Sequence, residues 1–298
     1  MLQAHYGEIA AFATAICWTV TAVAFETAGR RVGSLSVNLI RLVMAFFLLG
    51  VFTFFTRGMF LPLDATRTMW FWLVLSGLIG FVLGDLFLFQ AYVEVGSRIS
   101  MLIMSTVPPI TALLGFIILG ERISVMNLLG MMITISGIAL VILVKNTGED
   151  KVELSKPLKG LIYAFIGALG QALGLILSKF GMGNYSPFAA TQIRIIAGII
   201  GFIIVVTLRQ GWENLFTSTK DRKAMSVIAI GAAFGPFIGV SLSLFAIQYT
   251  TTGIASTIMS ITPVLIIPAA ILIFKERVTR KEMLGAFITV IGVALLFL

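Results

Sequence analysis

Residues 80–143 read GFVLGDLFLFQAYVEVGSRISMLIMSTVPPITALLGFIILGERISVMNLLGMMITISGIALVIL, and residues 235–298 read GPFIGVSLSLFAIQYTTTGIASTIMSITPVLIIPAAILIFKERVTRKEMLGAFITVIGVALLFL. They align without a gap at a constant offset of 155, with 19 of 64 positions identical. The shared landmarks are Met104-Ser105 with Met259-Ser260, Pro108 with Pro263, Glu121-Arg122 with Glu276-Arg277, Gly130 with Gly285 and Gly137 with Gly292. A common taste for apolar residues would not align charges, prolines and glycines, so the chain is a duplicated unit. The upstream parts match more weakly at an offset of 153, which pairs Gly7 with Gly160, Phe12 with Phe165 and Arg41 with Arg194.

The solvent of this chain is lipid. Of its residues 59% are hydrophobic and only 11% charged, and the mean hydropathy is +1.07, well outside the range of soluble domains. A membrane span takes roughly 20 mainly apolar residues. Charge, Gly and Pro divide the chain into ten such stretches: 7–27, 35–56, 70–91, 97–119, 124–144, 159–179, 187–208, 224–247, 252–274 and 279–298. The fold class expected is therefore an all-α integral membrane protein of ten transmembrane helices in two five-helix repeats. Residues 1–144 form the first repeat, 145–158 a polar linker and 159–298 the second. Spans and links use up the chain and leave no room for a soluble catalytic domain. The first apolar stretch lacks a basic leader and a cleavage pattern, so it reads as a span.

Five spans per unit is odd, so the second unit enters the membrane from the opposite face and the repeats are inverted. The charges beside the spans bear on orientation. One face carries Arg30, Arg31, Arg98, Lys145, Lys151, Lys156, Lys159, Arg209, Lys220, Arg222, Lys223, Lys275, Arg277, Arg280 and Lys281. The other has Arg57, Arg67, Arg122 and Lys179, a ratio of 15 to 4. By the positive-inside rule the first face is cytoplasmic, which leaves both termini outside. This asymmetry accounts for the net charge of +8 without a nucleic-acid partner. Cys17 is the single cysteine and His5 the single histidine, which excludes disulfides within the chain and Cys/His metal clusters; no cofactor or metal is expected.

With these features the chain resembles the EamA family of the drug/metabolite transporter superfamily. The resemblance rests on Pro108, Gly120-Glu121-Arg122 and Gly130, repeated as Pro263, Lys275-Glu276-Arg277 and Gly285, and it covers nearly the whole chain. It implies a transporter rather than an enzyme, in a cell membrane (inner or plasma), moving small metabolites. The family includes exporters of amino acids, and related branches carry nucleotide sugars and triose phosphates. Several relatives are described with cytosolic termini, the reverse of what the loop charges indicate here. The stretch Gly84-Asp85 to Ala91-Tyr92 looks like a subgroup pattern without an attached substrate.

Polar residues inside spans are the candidates for mechanism. Asp85 is the only acid well inside one, and a charge at such depth costs about 2.5–3.5 kcal/mol even on insertion scales. It lies six residues before the end of its span, and Arg41 six residues after the start of its own. The two ends share a face, so both sit about 9 Å deep at 1.5 Å per residue and can pair. The pair reads either as a structural tie or as a gating or coupling element, proton coupling included. Arg194 corresponds to Arg41, but the position matching Asp85 is Val240. A guanidinium without its acid suits a ligand carboxylate or phosphate; the alternative is an arginine reaching the interface. Glu26 and its counterpart Lys179 lie near span ends and read as solvated.

Pro108 and Pro263 fall mid-span, where each frees the carbonyl four residues earlier, on Met104 and Met259. Ser105, Thr106, Ser260 and Thr262 stand beside them, which fits either a cavity or a kink closed by hydroxyls. Pro109 and Pro268 extend the irregularity. Thr14, Trp18 and Thr21 share a helix face, and Gln171 is the equivalent of Trp18; such a face reads as cavity lining or as packing. Gly167, Gly170 and Gly174, with Gly80 and Gly84, have the spacing of close helix approach. The candidate substrate-binding set is thus Arg194, Trp18, Thr21, Gln171, Ser105 and Ser260, with Asp85 and Arg41 for gating or coupling. The partners expected are a small-molecule substrate and the bilayer. The transport expected is export or exchange of an amino acid or similar anionic or zwitterionic solute by alternating access. An uncoupled channel is the alternative; an enzyme is disfavoured because no HExxH, Gly-x-Ser-x-Gly or second membrane carboxylate is present, and an accessory subunit because the spans and short links offer little extramembrane surface to recruit a partner. Oligomeric state is not legible.

Overall fold

The computed structural model describes residues 5–119, 124–145, 152–154, 157–250, 252–276 and 278–295. Among these, the helices in chain order are α1 (Tyr6–Val32), α2 (Ser34–Arg57), α3 (Arg67–Val95), α4 (Ser97–Met104), α5 (Val107–Leu119), α6 (Val125–Ile142), α7 (Leu158–Met182), α8 (Pro187–Leu208), α9 (Trp212–Thr219), α10 (Arg222–Tyr249), α11 (Thr252–Met259), α12 (Thr262–Ile273) and α13 (Arg280–Leu295). Six of them, α1, α2, α3, α7, α8 and α10, are long and apolar enough to cross a membrane. Polarity is distributed as lipid demands. Phe55, Leu208 and Ile117 are more than 70% exposed, whereas Arg41, Asp85 and Arg194 are at most 4% exposed.

Local chemistry sets the helix ends. Thr66 accepts a hydrogen bond from the Met69 amide, 3.3 Å, to open α3, and Pro187 occupies the first turn of α8, where a missing N–H costs nothing. Asp221 caps α10 by accepting from the Lys223 and Ala224 amides, each at 3.1 Å. Its carboxyl is held below the usual carboxylate range, first by the hydrogen bond from Arg31 and then by the Ala224 amide. One residue, Gly96, separates α3 from α4. Its φ of +85° is a conformation that a Cβ disfavours.

The duplication is visible in the backbone. Residues Leu78–Gly84 within α3 and Ala233–Gly239 within α10 both wind as π-helix, at repeat-equivalent positions directly before Asp85 and Val240. Helix α1 packs on α10, α11 and α12, while α7 packs on α3, α4 and α5, so each unit's first helix lies against the other unit. Helix α6 lies along α13. A Cβ at Gly137 would approach the Thr289 amide to 2.6 Å, and one at Gly292 the Thr134 amide to 2.4 Å. The apolar interior is divided into three clusters, the largest around Phe25, Leu42, Phe81, Phe89 and Phe202.

Several expectations from the sequence need correction. The stretches 97–119 and 252–274 are not single kinked helices. Helices α4 and α11 end, and α5 and α12 begin after Ser105–Thr106 and Ser260–Ile261. Prolines 108 and 263 thus stand in the first turn of a new helix, where their missing N–H is tolerated. Helices α1 and α3 run longer than 7–27 and 70–91, since Arg30, Arg31 and Glu94 continue the helix beyond the apolar stretch. The link after 208 contains the short helix α9. In the linker 145–158, Leu143–Lys145 pairs antiparallel with Val152–Leu154; its residues 146–151, 155 and 156 lie outside the described residues, as do Gly120-Glu121-Arg122 and Arg277.

Glu26 is not a solvated end. It is fully buried, ion-paired to Arg30 at 2.7 Å, and its Oε2 accepts the Ser97 amide at 2.6 Å. The turn at Gly96 delivers that amide, and the carboxylate has no need of water.

Candidate functional site

At the seam of the two repeats lies a cavity with about 1110 Å³ of empty space, its mouth included. Its wall contains every residue singled out for binding, gating or kinking: Trp18, Thr21, Arg41, Asp85, Ser105, Pro108, Gln171, Arg194, Ser260 and Pro263. Thr14 is apart from it. That residue is buried in α1, and its hydroxyl donates to the Ala10 carbonyl at 2.8 Å.

Asp85 is the anchor of the polar wall. Arg41 Nη2 donates to its Oδ2, and Gln171 Nε2 donates to its Oδ1 at 2.6 Å. Arg41 also donates to Asn38 Oδ1, at 3.2 and 3.3 Å, and Asn38 in turn donates to the Asp85 carbonyl at 3.2 Å. The first repeat supplies Arg41, Asn38 and Asp85, and the second supplies Gln171, so the network crosses the seam. With neither charge in water, the pair depends on these extra hydrogen bonds to offset its desolvation.

Arg194 is differently placed. It is 4% exposed, yet among the described residues it makes no hydrogen bond or ion pair, and its Nε is buried without a partner. Its guanidinium lies over the Phe81 ring, 4.8 Å from the centroid, and the field of Asp85 reaches it. Arg41 also faces Phe81, at 5.6 Å, and Phe89, at 4.5 Å, so both cations lie near the Phe81 ring. Arginine on an aromatic face gains on the order of 0.5–2 kcal/mol, less than a carboxylate partner would give in a site this dry. The glycines of α3 admit the arginine. A Cβ at Gly80 would lie 3.0 Å from Arg194 Nη2, and one at Gly77 only 2.4 Å from the Arg194 carbonyl oxygen.

The helix breaks face the same space. Met104, Val107, Met259 and Thr262 join the prolines in the wall. The Thr106 hydroxyl donates to the Ile103 carbonyl and the Thr262 hydroxyl to that of Met259, both at 2.7 Å. The hydroxyls therefore cap the ends of α4 and α11, while the cavity also exists beside them. Ser260 donates to the Ser256 carbonyl at 2.7 Å, whereas the hydroxyls of Ser105 and Thr21 are buried without partners.

Beyond Thr21 and Phe25 an ion-pair cluster ties the two repeats at one end of the bundle. Arg98 pairs with Glu276 at 2.8 Å and Glu282 at 3.1 Å, beside the Glu26–Arg30 pair. Arg98 had counted only as a loop charge, but it is 8% exposed. Phe81, Asn38 and this cluster were not found from sequence. Asn38 lies one helical turn before Arg41 and Phe81 one turn before Asp85, so spacing from the two charged residues was the signal available for those two.

A family model described as the EamA-like transporter family matches residues 5–143 and again 158–298. A protein of Archaeoglobus fulgidus named as an uncharacterized transporter is 24% identical over 290 residues, covering 95% of each chain. A chloroplastic WAT1-related protein of Arabidopsis thaliana is 21% identical over 281 residues, 93% of this chain and 66% of its own length. Bacillus subtilis YyaM, named as an uncharacterized transporter, is 31% identical over 121 residues, 40% of this chain and 38% of its own. One solved crystal structure superposes with a TM-score of 0.65 at 15% identity, covering 97% of this chain and 95% of the other; that likeness is one of fold.

Proposed function

The chain belongs to the EamA-like transporter family, a multi-pass membrane protein and not an enzyme, and from that premise we propose that it carries a small metabolite through the central cavity by alternating access. The solute is an amino acid or a similar anionic or zwitterionic compound, exported or exchanged across the cell membrane. The reading uses ten crossings arranged as two inverted repeats, residues 1–144 and 159–298. One observation carries it: the cavity lies where the repeats meet, walled by broken helices from both, as in carriers that hold their ligand near the bilayer midplane. Arg194, Gln171, Trp18, Thr21, Ser105 and Ser260 form the binding surface in this reading. The Asp85–Arg41 pair ties the first repeat and responds to occupancy, with proton coupling as one use of it.

Thermal stabilisation of the purified protein against anionic and zwitterionic metabolites identifies a ligand by mass action, and counterflow in proteoliposomes then tests carriage. A carrier accumulates labelled ligand against an unlabelled internal pool, and a channel does not. Arg194→Gln should weaken apparent affinity by about ten- to a hundred-fold, the equivalent of about 1.5–3 kcal/mol for a charged hydrogen bond, without lowering the melting temperature. Arg194→Lys should restore part of it, since it keeps the charge and loses the planar fork. Unchanged affinity in Arg194→Gln would remove that residue from the binding surface.

A further inference from the structure

We infer that, within the anionic and zwitterionic solutes proposed above, the cavity selects organic monoanions with an apolar body over neutral amino acids and other zwitterions, and over cations, an inference that rests on reading this cavity as the transport site. Charge is the first argument. The wall contains two guanidinium groups, Arg41 and Arg194, and one carboxylate, Asp85. A formal charge of one positive therefore stays uncompensated, and it stays on Arg194, because Asp85 is engaged by Arg41 and Gln171. In a low-dielectric space a net charge counts far more than in water. A monoanion brings the occupied site to neutrality. A zwitterion leaves the excess in place and adds an ammonium beside two guanidiniums.

The hydrogen-bonding groups point the same way. Both Asp85 oxygens accept side-chain donors, so an ammonium reaching them would have to share the carboxylate with Arg41 and Gln171. A carboxylate needs donors. Arg194 Nε is buried and unpartnered, and so is the Ser105 hydroxyl, which can donate. The first turns of α5 and α12, at Val107–Pro108 and Thr262–Pro263, enter the wall as well, and helix N-termini favour negative charge. Phe25, Phe81, Leu88, Met104 and Met259 make the remaining surface apolar, which suits a hydrocarbon or aryl body. The repeat shows what a zwitterion site would have required: an acid at Val240, which is the counterpart of Asp85 and shares the cavity wall with Arg194.

The test uses 3-phenylpropionate, L-phenylalanine and phenethylamine, which share a phenyl group and differ in charge, with hexanoate and norleucine as an alkyl pair. Dissociation constants are measured on the purified full chain at fixed ionic strength and pH 7. The monoanion of each pair should bind at least about tenfold tighter than its zwitterion, and phenethylamine should be weakest. Val240→Asp should reverse the preference by supplying the missing carboxylate, and Val240→Asn, of the same shape, should not. If Val240→Asp fails to fold, the ratios in the unaltered protein decide.

Zwitterions binding as tightly as monoanions, or no binding by either monoanion, overturns the inference. Arg194→Gln separates it from the reading beneath. If that change weakens both members of a pair equally, the cavity is the site and the charge selection is wrong. Binding indifferent to Arg194→Gln takes that residue off the binding surface and overturns the charge argument, and counterflow then decides whether the cavity is the transport site.

Discussion

Asp85 and Arg41 bury opposite charges at a depth where either alone would be expensive. Removing one partner of a buried pair costs about 3–5 kcal/mol, much of it from stranding the other charge. Asp85→Asn or Arg41→Gln alone should therefore lower the melting temperature and yield of folded protein sharply, and the double substitution should recover part of the loss. A double-mutant cycle on the purified protein reads the coupling; strictly additive losses would show that the two residues act separately. The pairing was legible because helix rise turns sequence distance into depth, although α3 runs on to Val95 and α2 starts at Ser34, so the depths that the sequence made equal differ in the helices themselves. That Val240 stands where the first repeat has Asp85, leaving Arg194 without the acid that Arg41 has, was legible from the repeat. Gln171 and Asn38 as partners of Asp85 were not, since choosing among buried amides requires knowing which helices touch. Glu26 was misjudged for a related reason: proximity to a helix end implies water only when no neighbouring turn covers it, and the turn at Gly96 does.

At the level of elements, the contact between α3 and α7 depends on absent side chains. A Cβ on Gly170 would lie 2.6 Å from the Gly84 Cα, a backbone atom with no room to swing aside, whereas one on Gly167 would meet the Leu88 Cβ at 3.0 Å. Between helices in lipid, close backbone approach supplies the packing that the hydrophobic effect supplies in water. Gly170→Ala should then destabilise by about 1–3 kcal/mol, the usual cost of overpacking, and Gly167→Ala by less. Thermal melting in one detergent ranks them, and equal or reversed losses would show that the helices slide apart freely. The glycine spacing was readable as a helix contact, but its partner was not. The π-helical stretches left little mark beyond Pro236, which stands inside the second of them. Leu78–Gly84 and Ala233–Gly239 are continuous apolar sequence, and a change of winding by one residue per turn alters no hydropathy pattern. Prolines 108 and 263 revealed that something breaks, yet a proline is compatible with a kink inside one helix or the start of another, and only the backbone distinguishes them.

For the whole molecule, the ion-pair cluster fixes the relation between the two ends of the chain. Helix α1 arrives at the cluster, with Glu26 and Arg30 in its last turns, and α13 leaves from it, with Glu282 in its first. The start of α1 and the end of α13 therefore lie together at the opposite end of the bundle, as an even number of crossings would require. Which end faces the cytoplasm is then a matter of charge. By the sequence count, the loops assigned to the face of Arg30, Arg31 and Arg98 carry 15 Lys and Arg against 4 on the other. Arg98, buried and engaged by Glu276 and Glu282, serves the seam more than the loop, and omitting it still leaves 14 to 4. Basic residues within about 15–20 residues of span ends set orientation, and acids contribute little, so the acids of the cluster do not offset this excess. Both termini should accordingly be non-cytoplasmic. A phosphatase that works only outside the cytoplasm, fused after Leu298, should be active, and a fluorescent protein that matures only in the cytoplasm should be dark at the same position. The reverse pattern would mean that loop charge does not orient this chain, and it would place the cluster of Arg98, Glu276 and Glu282 on the outer side of the membrane.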